Sequence, residues 1–102
     1  MWLDDVRPAP EGYVWARSVN EAEYYIVLCE DSWHGALTGK PEILDLDHDL
    51  GDYASDGGDG VRLLDWLEET GRNYPIRIHS ANAVGVANMR RIIQKNGWIE
   101  VR

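Results

Sequence analysis

The sequence predicts an α/β fold built on a mostly parallel sheet of about five strands, and three observations carry that prediction. Short apolar runs alternate with helical patterns of about 10–15 residues, the signature of βαβ units. Several runs end in polar clusters: Asp4-Asp5, Asp47-His48-Asp49 and His79-Ser80-Ala81-Asn82. The chain has 102 residues, enough for one core and too few for two, so a single domain over 1–102 is expected.

Met1 to Leu3 is an apolar start that stops at Asp4-Asp5, and Arg7-Pro8-Ala9-Pro10-Glu11-Gly12 excludes regular structure. Tyr13 to Arg17 suits a second strand. The link between these strands, about seven residues, is too short for a helical crossover, so the second strand is expected as an antiparallel edge or an extended arm. Ser18 with Glu21 three residues later forms a capping box, opening a helix whose Val19, Ala22, Ile26 and Cys29 share one face. Asp31 to Pro41 reads as a loop, with His34 beside Trp33 as a packed or surface residue.

Ile43 to Leu50 alternates as a strand, with Leu44, Leu46, His48 and Leu50 on one face and Asp45, Asp47 and Asp49 on the other. Three carboxylates on an internal strand are costly unless a cation, or exit of the strand into solvent, relieves them. Beyond the polar loop Ser55 to Gly60, Val61, Leu64 and Leu67 make an amphipathic helix, flanked by Leu63 and Trp66, that Gly71 stops. Pro75 precedes a strand over Ile76 to Ser80, and residues 84–95 form a helix around Val86, Met89, Ile92 and Ile93. Asn96-Gly97 caps that helix, and Trp98 to Val101 is the last strand.

Eighteen acidic against ten basic side chains give a net charge of −8, and the excess is local. Residues 41–61 hold Glu42, six aspartates and no Lys or Arg, a charge of −7, whereas residues 72–102 carry +5. This argues against a duplex-DNA partner, which is met by a basic face, and leaves open a small phosphate-bearing ligand held through a metal ion. No run approaches a membrane-spanning length, and Met1-Trp2-Leu3-Asp4-Asp5 lacks the regions of a signal peptide. Cys29 is alone and forms no internal disulfide, so a cytoplasmic setting without membrane contact is expected. Five Trp and five Tyr stand beside no Phe, a choice the sequence alone does not explain.

In an open α/β sheet, ligands bind outside the carboxyl ends of the strands, where the three polar clusters fall. Asp4, Asp5, Asp47 and Asp49 supply hard oxygen donors from two strand ends, which suit Mg²⁺ or Mn²⁺. A calcium loop beginning Asp45-x-Asp47-x-Asp49 is disfavoured, because its glycine falls at Gly51 rather than at Leu50 and Asp56 stands where a glutamate is needed. Zinc would use His48 and His79 with aspartates, but the single cysteine argues against a structural zinc site. Two histidines at one phosphate suit acid–base chemistry near neutral pH.

The run Pro41-Glu42-Ile43-Leu44-Asp45-Leu46-Asp47, followed by Asp59-Gly60-Val61 opening a helix, resembles the phosphoacceptor strand and next helix of response-regulator receiver domains. Asp4-Asp5 is similar to their acidic pair, Asp47 to the phosphoacceptor and Ser80 to the hydroxyl residue ending their fourth strand. More specifically, three motifs resemble the cyclic-phosphate-processing receiver family over nearly the whole chain. They are Leu3-Asp4-Asp5-x-Arg7-x-x-Pro10, Leu46-Asp47-His48-Asp49-Leu50-Gly51 and His79-Ser80-Ala81-Asn82-x-x-Gly85.

The resemblance implies a receiver-like (flavodoxin-like) three-layer sandwich with the first crossover helix missing. Trp98 to Val101 lacks the lysine receivers place there, which argues against stable phosphorelay signalling. The expected function is a metal-dependent phosphoesterase acting on a cyclic phosphate, either the 2′,3′-cyclic end of RNA or a cyclic nucleotide. His48, His79 and Asp47 are the expected catalytic residues, with Asp47 a metal ligand or a transient nucleophile. Ser80, Asn82 and Arg7 are the expected phosphate contacts, with a structural ion pair to Asp4 and Asp5 as the alternative for Arg7. The alternative is a non-enzymatic degenerate receiver that binds a phosphorylated ligand or a protein partner.

Overall fold

A computed structural model describes residues 1–31 and 41–102. Most of the loop expected over 31–41, with Trp33 and His34, lies outside the described residues. The elements run β1 (Trp2–Leu3), β2 (Trp15–Ala16), α1 (Val19–Glu30), β3 (Leu44–Leu46), a 3-10 helix (Gly51–Ser55), α2 (Val61–Glu69), β4 (Ile76–Ile78) and α3 (Ala83–Asn96). All strand pairings among the described residues are parallel, in the order β2-β1-β3-β4. The expected fifth strand is reduced to one parallel bridge, Ile76 to Glu100, beside β4. The 3-10 helix is an addition within a segment whose composition signalled only strand end and loop.

β2 is neither an antiparallel edge nor a free arm: Trp2 pairs with Trp15, and Leu3 with Ala16, in parallel. The reason is strand length. A two-residue strand obliges the chain to travel back only about 7 Å, which residues 4–14 do without a helix. Two indoles tie that return, Trp2 Nε1 donating to the Arg7 carbonyl at 2.9 Å and Trp15 Nε1 to the Asp4 carbonyl at 2.8 Å. Phenylalanine makes neither bond, which gives tryptophan a physical reason at these two positions.

Leu3, Ala16, Leu44, Leu46 and Ile76 meet Val19, Ala22 and Ile26 of α1, Leu63, Leu64 and Leu67 of α2, and Met89 and Ile93 of α3 in one buried core. α2 touches both α1 and α3, so the described helices form a single layer. Trp2, Asp45 and Arg77 alternate to the other face of the sheet. Residues 4–14 fold back over it, with Tyr13 edge-on to Trp2 at a centroid distance of 6.2 Å. A loop therefore stands where the first crossover helix of a receiver would make the third layer.

The Ser18 side chain caps α1 by accepting from the Glu21 amide at 3.1 Å, while the Glu21 carboxylate accepts from the Arg17 amide. Asn82 caps α3, and Gly97 closes it at φ 67°. β3 ends at Leu46, which relieves the expected stripe of carboxylates: Asp45 alone lies in the strand, and Asp47 and Asp49 follow it. No helix among the described residues is long and apolar enough to cross a membrane.

Candidate functional site

The chain leaves β1 toward β2 on one side and takes up β3 on the other, so the topological switch point lies between β1 and β3. Asp4-Asp5 and Asp47-His48-Asp49 follow these neighbouring strands, and His79 to Asn82 follow the adjacent β4. Glycine permits two close approaches around them. A Cβ on Gly60 would stand 1.9 Å from the Asp47 carbonyl oxygen, and one on Gly51 would stand 2.5 Å from Asp5 Oδ2. Gly60 thus brings the start of α2 against the end of β3, its amide donating to the His48 carbonyl at 2.7 Å.

Asp4 is 1% exposed, and its carboxylate is fully engaged. Oδ1 accepts from the amides of Val6 (2.9 Å) and Arg7 (2.8 Å), and Oδ2 lies 3.0 Å from both Arg7 Nε and His79 Nε2. Burial pushes the Asp4 carboxyl up, but the amides of Arg7 and Val6, the His79 ring and the Arg7 charge outweigh it and hold the group below its ordinary value. Asp47, also buried, moves the opposite way. Its burial and the Asp4 charge raise it, against the opposing His48 amide, Ser80 hydroxyl and His79 charge. The two neighbouring carboxyls are thus shifted in opposite directions by their surroundings.

Asp4, Asp5 and Asp47 offer oxygens that lie within 4.8 Å of one another. Hard, partly desolvated oxygen donors from two strand ends fit Mg²⁺ or Mn²⁺. Asp5 is fixed through its backbone, because Arg17 Nε and Nη2 donate to its carbonyl at 3.1 and 2.7 Å. The Arg17 guanidinium lies over the Trp15 and Tyr53 rings at 5.0 and 4.9 Å. Asp49 is placed apart from that trio: its side chain is 61% exposed, and it groups instead with His48 and Asp59. Hydrogen bonds from the His48 and Asn82 side chains hold its carboxyl below the ordinary value.

The two histidines differ in engagement. His48 Nδ1 lies 2.7 Å from Asp49 Oδ1, its Nε2 has no protein partner among the described residues, and its ring packs directly on Gly85. His79 is clamped at both nitrogens, Nδ1 2.6 Å from Asp45 Oδ1 and Nε2 3.0 Å from Asp4 Oδ2. Trp2 stacks on its ring at 3.7 Å with an 8° interplanar angle. Each His79 nitrogen thus faces a carboxylate oxygen.

The expected phosphate contacts already serve structure. Ser80 bonds Asp47 and accepts from the Asn82 amide at 3.2 Å, while Asn82 caps α3 and donates to Asp49 at 3.1 Å. Arg7 lies over the acids, Nη2 3.8 Å from Asp47 Oδ2. Asp45, Asp59, Trp2 and Arg17 were absent from the sequence-based site. Asp45 alone carried a signal, as a carboxylate inside an apolar strand, but its partner His79 stands 34 residues away. A cavity of about 300 Å³ lined by Met1, Tyr13, Ile26, Cys29 and Ile43 opens at the opposite, amino ends of β1 and β3, away from these groups.

Compared with known families, the model of the cyclic-phosphate processing receiver domain matches residues 1–95. No curated protein and no solved structure matches the chain.

Proposed function

The chain belongs to the cyclic-phosphate processing receiver domain family, and from that premise we propose that it is a metal-dependent phosphoesterase that opens a cyclic phosphate, such as a 2′,3′-cyclic nucleotide or RNA end. The observation that carries this reading is the convergence of the Asp4, Asp5 and Asp47 oxygens at the switch point, beside a histidine with one unengaged ring nitrogen. Asp5 and Asp47 are the ligands for Mg²⁺ or Mn²⁺, with Asp4 completing the set once it releases Arg7. The cation supplies charge neutralisation and polarises a phosphoryl oxygen.

His48, oriented by Asp49, takes the proton of the attacking water at Nε2 as the new P–O bond forms. The P–O bond to one ribose oxygen breaks, and His79 Nε2 gives that oxygen the proton it shares with Asp4 Oδ2. Each such transfer contributes about 10²- to 10⁴-fold. The amides opening α3 and the Arg7 guanidinium face the phosphate oxygens. Asp45 holds His79 from behind and acts through it.

The complete engagement of His79 favours a second reading, a degenerate receiver that binds a phosphorylated ligand without turning it over. Turnover separates the two. Purified protein with Mn²⁺ is expected to convert 2′,3′-cyclic nucleotides to monophosphates, and His48→Ala to lose at least a hundredfold in kcat while Mn²⁺ affinity stays near wild type. Absence of turnover across a panel of cyclic phosphates and metals, with Mn²⁺ bound, would overturn the enzyme reading.

A further inference from the structure

Arg7 is an expected phosphate contact, yet its guanidinium rests on the acids. Nε lies 3.0 Å from Asp4 Oδ2 and Nη2 3.8 Å from Asp47 Oδ2, so two ligands of the proposed cation site already share a cation that belongs to the chain. The backbone of Arg7 is pinned, its amide donating to Asp4 Oδ1 at 2.8 Å and its carbonyl accepting from the Trp2 indole at 2.9 Å. Its side chain is 57% exposed and makes no other hydrogen bond or ion pair to the described residues. The guanidinium is therefore able to leave the acids while its loop stays in place.

The second partner of Asp4 behaves differently. The His79 side chain is 14% exposed and is gripped by Asp45 on one edge and Trp2 on one face. Asp4 Oδ2 thus has one fixed partner and one releasable partner. An incoming divalent ion has to displace the releasable one, and the displaced guanidinium, five N–H donors on a tethered arm, is then next to the position where a phosphate would sit.

We propose that Arg7 couples cation binding to phosphate binding: it neutralises Asp4 and Asp47 in the metal-free protein, is displaced by the divalent cation, and then turns to the phosphate. The inference rests on the proposed cation site. Competition by Arg7 lowers the affinity for the cation alone, and its release raises the affinity for the anion. Linkage makes the effect reciprocal, so phosphate tightens the cation by the same factor.

The test is Mn²⁺ affinity, by calorimetry, for wild type, Arg7→Ala, Arg7→Gln and Arg7→Lys, with and without inorganic phosphate, each variant first checked for a cooperative thermal melt. Without phosphate, Arg7→Ala and Arg7→Gln are expected to bind Mn²⁺ about fivefold or more tightly than wild type, and Arg7→Lys to stay near wild type because the charge remains. Phosphate is expected to tighten Mn²⁺ in wild type and to do so less in the Ala and Gln variants. Equal or weaker Mn²⁺ binding by those variants overturns the coupling while leaving the cation site standing. Absence of Mn²⁺ binding in wild type and all variants instead overturns the cation site, and the coupling with it.

Discussion

Gly85→Ala displaces the His48 imidazole without removing any polar atom of the site. A Cβ at position 85 would stand 2.5 Å from His48 Cγ and 2.7 Å from Cδ2. Carbon atoms in contact sit about 3.5–4.0 Å apart, so the ring must retreat by about 1 Å. Overpacking of this kind costs about 1–3 kcal/mol. Gly85 lies in the first turn of α3, where alanine is the better helix former by about 1 kcal/mol, and this offsets part of the cost.

The net loss of stability is then about 0–2 kcal/mol, and each kcal/mol moves Tm by about 4–8 °C in a domain of this size. Catalysis is more sensitive, because a 1 Å misplacement costs on the order of 10²-fold in rate. That corresponds to about 2.7 kcal/mol of barrier. Hydrolysis of a 2′,3′-cyclic nucleotide with Mn²⁺, measured beside a thermal melt and a Mn²⁺ titration, separates the two effects. The expected result is a loss of about a hundredfold in kcat, a modest fall in Tm and Mn²⁺ affinity near wild type. Wild-type kcat in the variant would refute the assignment of His48 to proton transfer.

Burial, and then the Asp4 charge, raise the Asp47 carboxyl above its ordinary value of 3.8. A carboxyl raised on folding binds its proton more tightly in the folded chain than in the unfolded one, so its ionisation removes stability as pH rises from the unfolded value through the raised one. Asp47→Asn is therefore expected to raise the Tm of the metal-free protein at neutral pH and to abolish Mn²⁺ binding. In wild type, Mn²⁺ affinity is expected to fall on acidification beginning at a higher pH than an unshifted aspartate would set, as a titration series would show. Trp2→Phe keeps an aromatic face for His79 but loses the bond to the Arg7 carbonyl. It is expected to cost about 1 kcal/mol in urea denaturation.

The parallel sheet and the three groups of site residues were legible because strand ends, caps and apolar periodicity are local properties of the chain. Asp4, Asp47 and His79 each terminate an apolar run, and the switch-point rule then places them together. The orientation of β2 was not legible, because the rule for crossover length assumes strands of ordinary extent, whereas Trp15–Ala16 is two residues long. The partner of Asp45 was not legible either. Alternation grouped that carboxylate with Asp47 and Asp49 as one charged stripe, but the end of β3 at Leu46 divides the stripe, sending Asp45 to His79 and Asp49 to His48 and Asn82. The ion pair of Arg7 with Asp4 was legible from their spacing of three residues, whereas its reach to Asp47, 40 residues away, follows from tertiary geometry.

The two-residue pairing of β1 with β2 also sets the order in which the molecule loosens. So short a ladder on an edge strand has few amide bonds to break, which puts residues 4–17 among the first segments to open, below the free energy of global unfolding, while β1 stays held by β3. Asp4, Asp5 and Arg7 belong to that segment, whereas Asp47 and His48 follow β3 and Ser80 follows β4. The site straddles a seam between an early-opening and a late-opening part of the chain. A ligand gripping both sides closes the seam, and its binding free energy is recorded as slowed hydrogen exchange along residues 4–17.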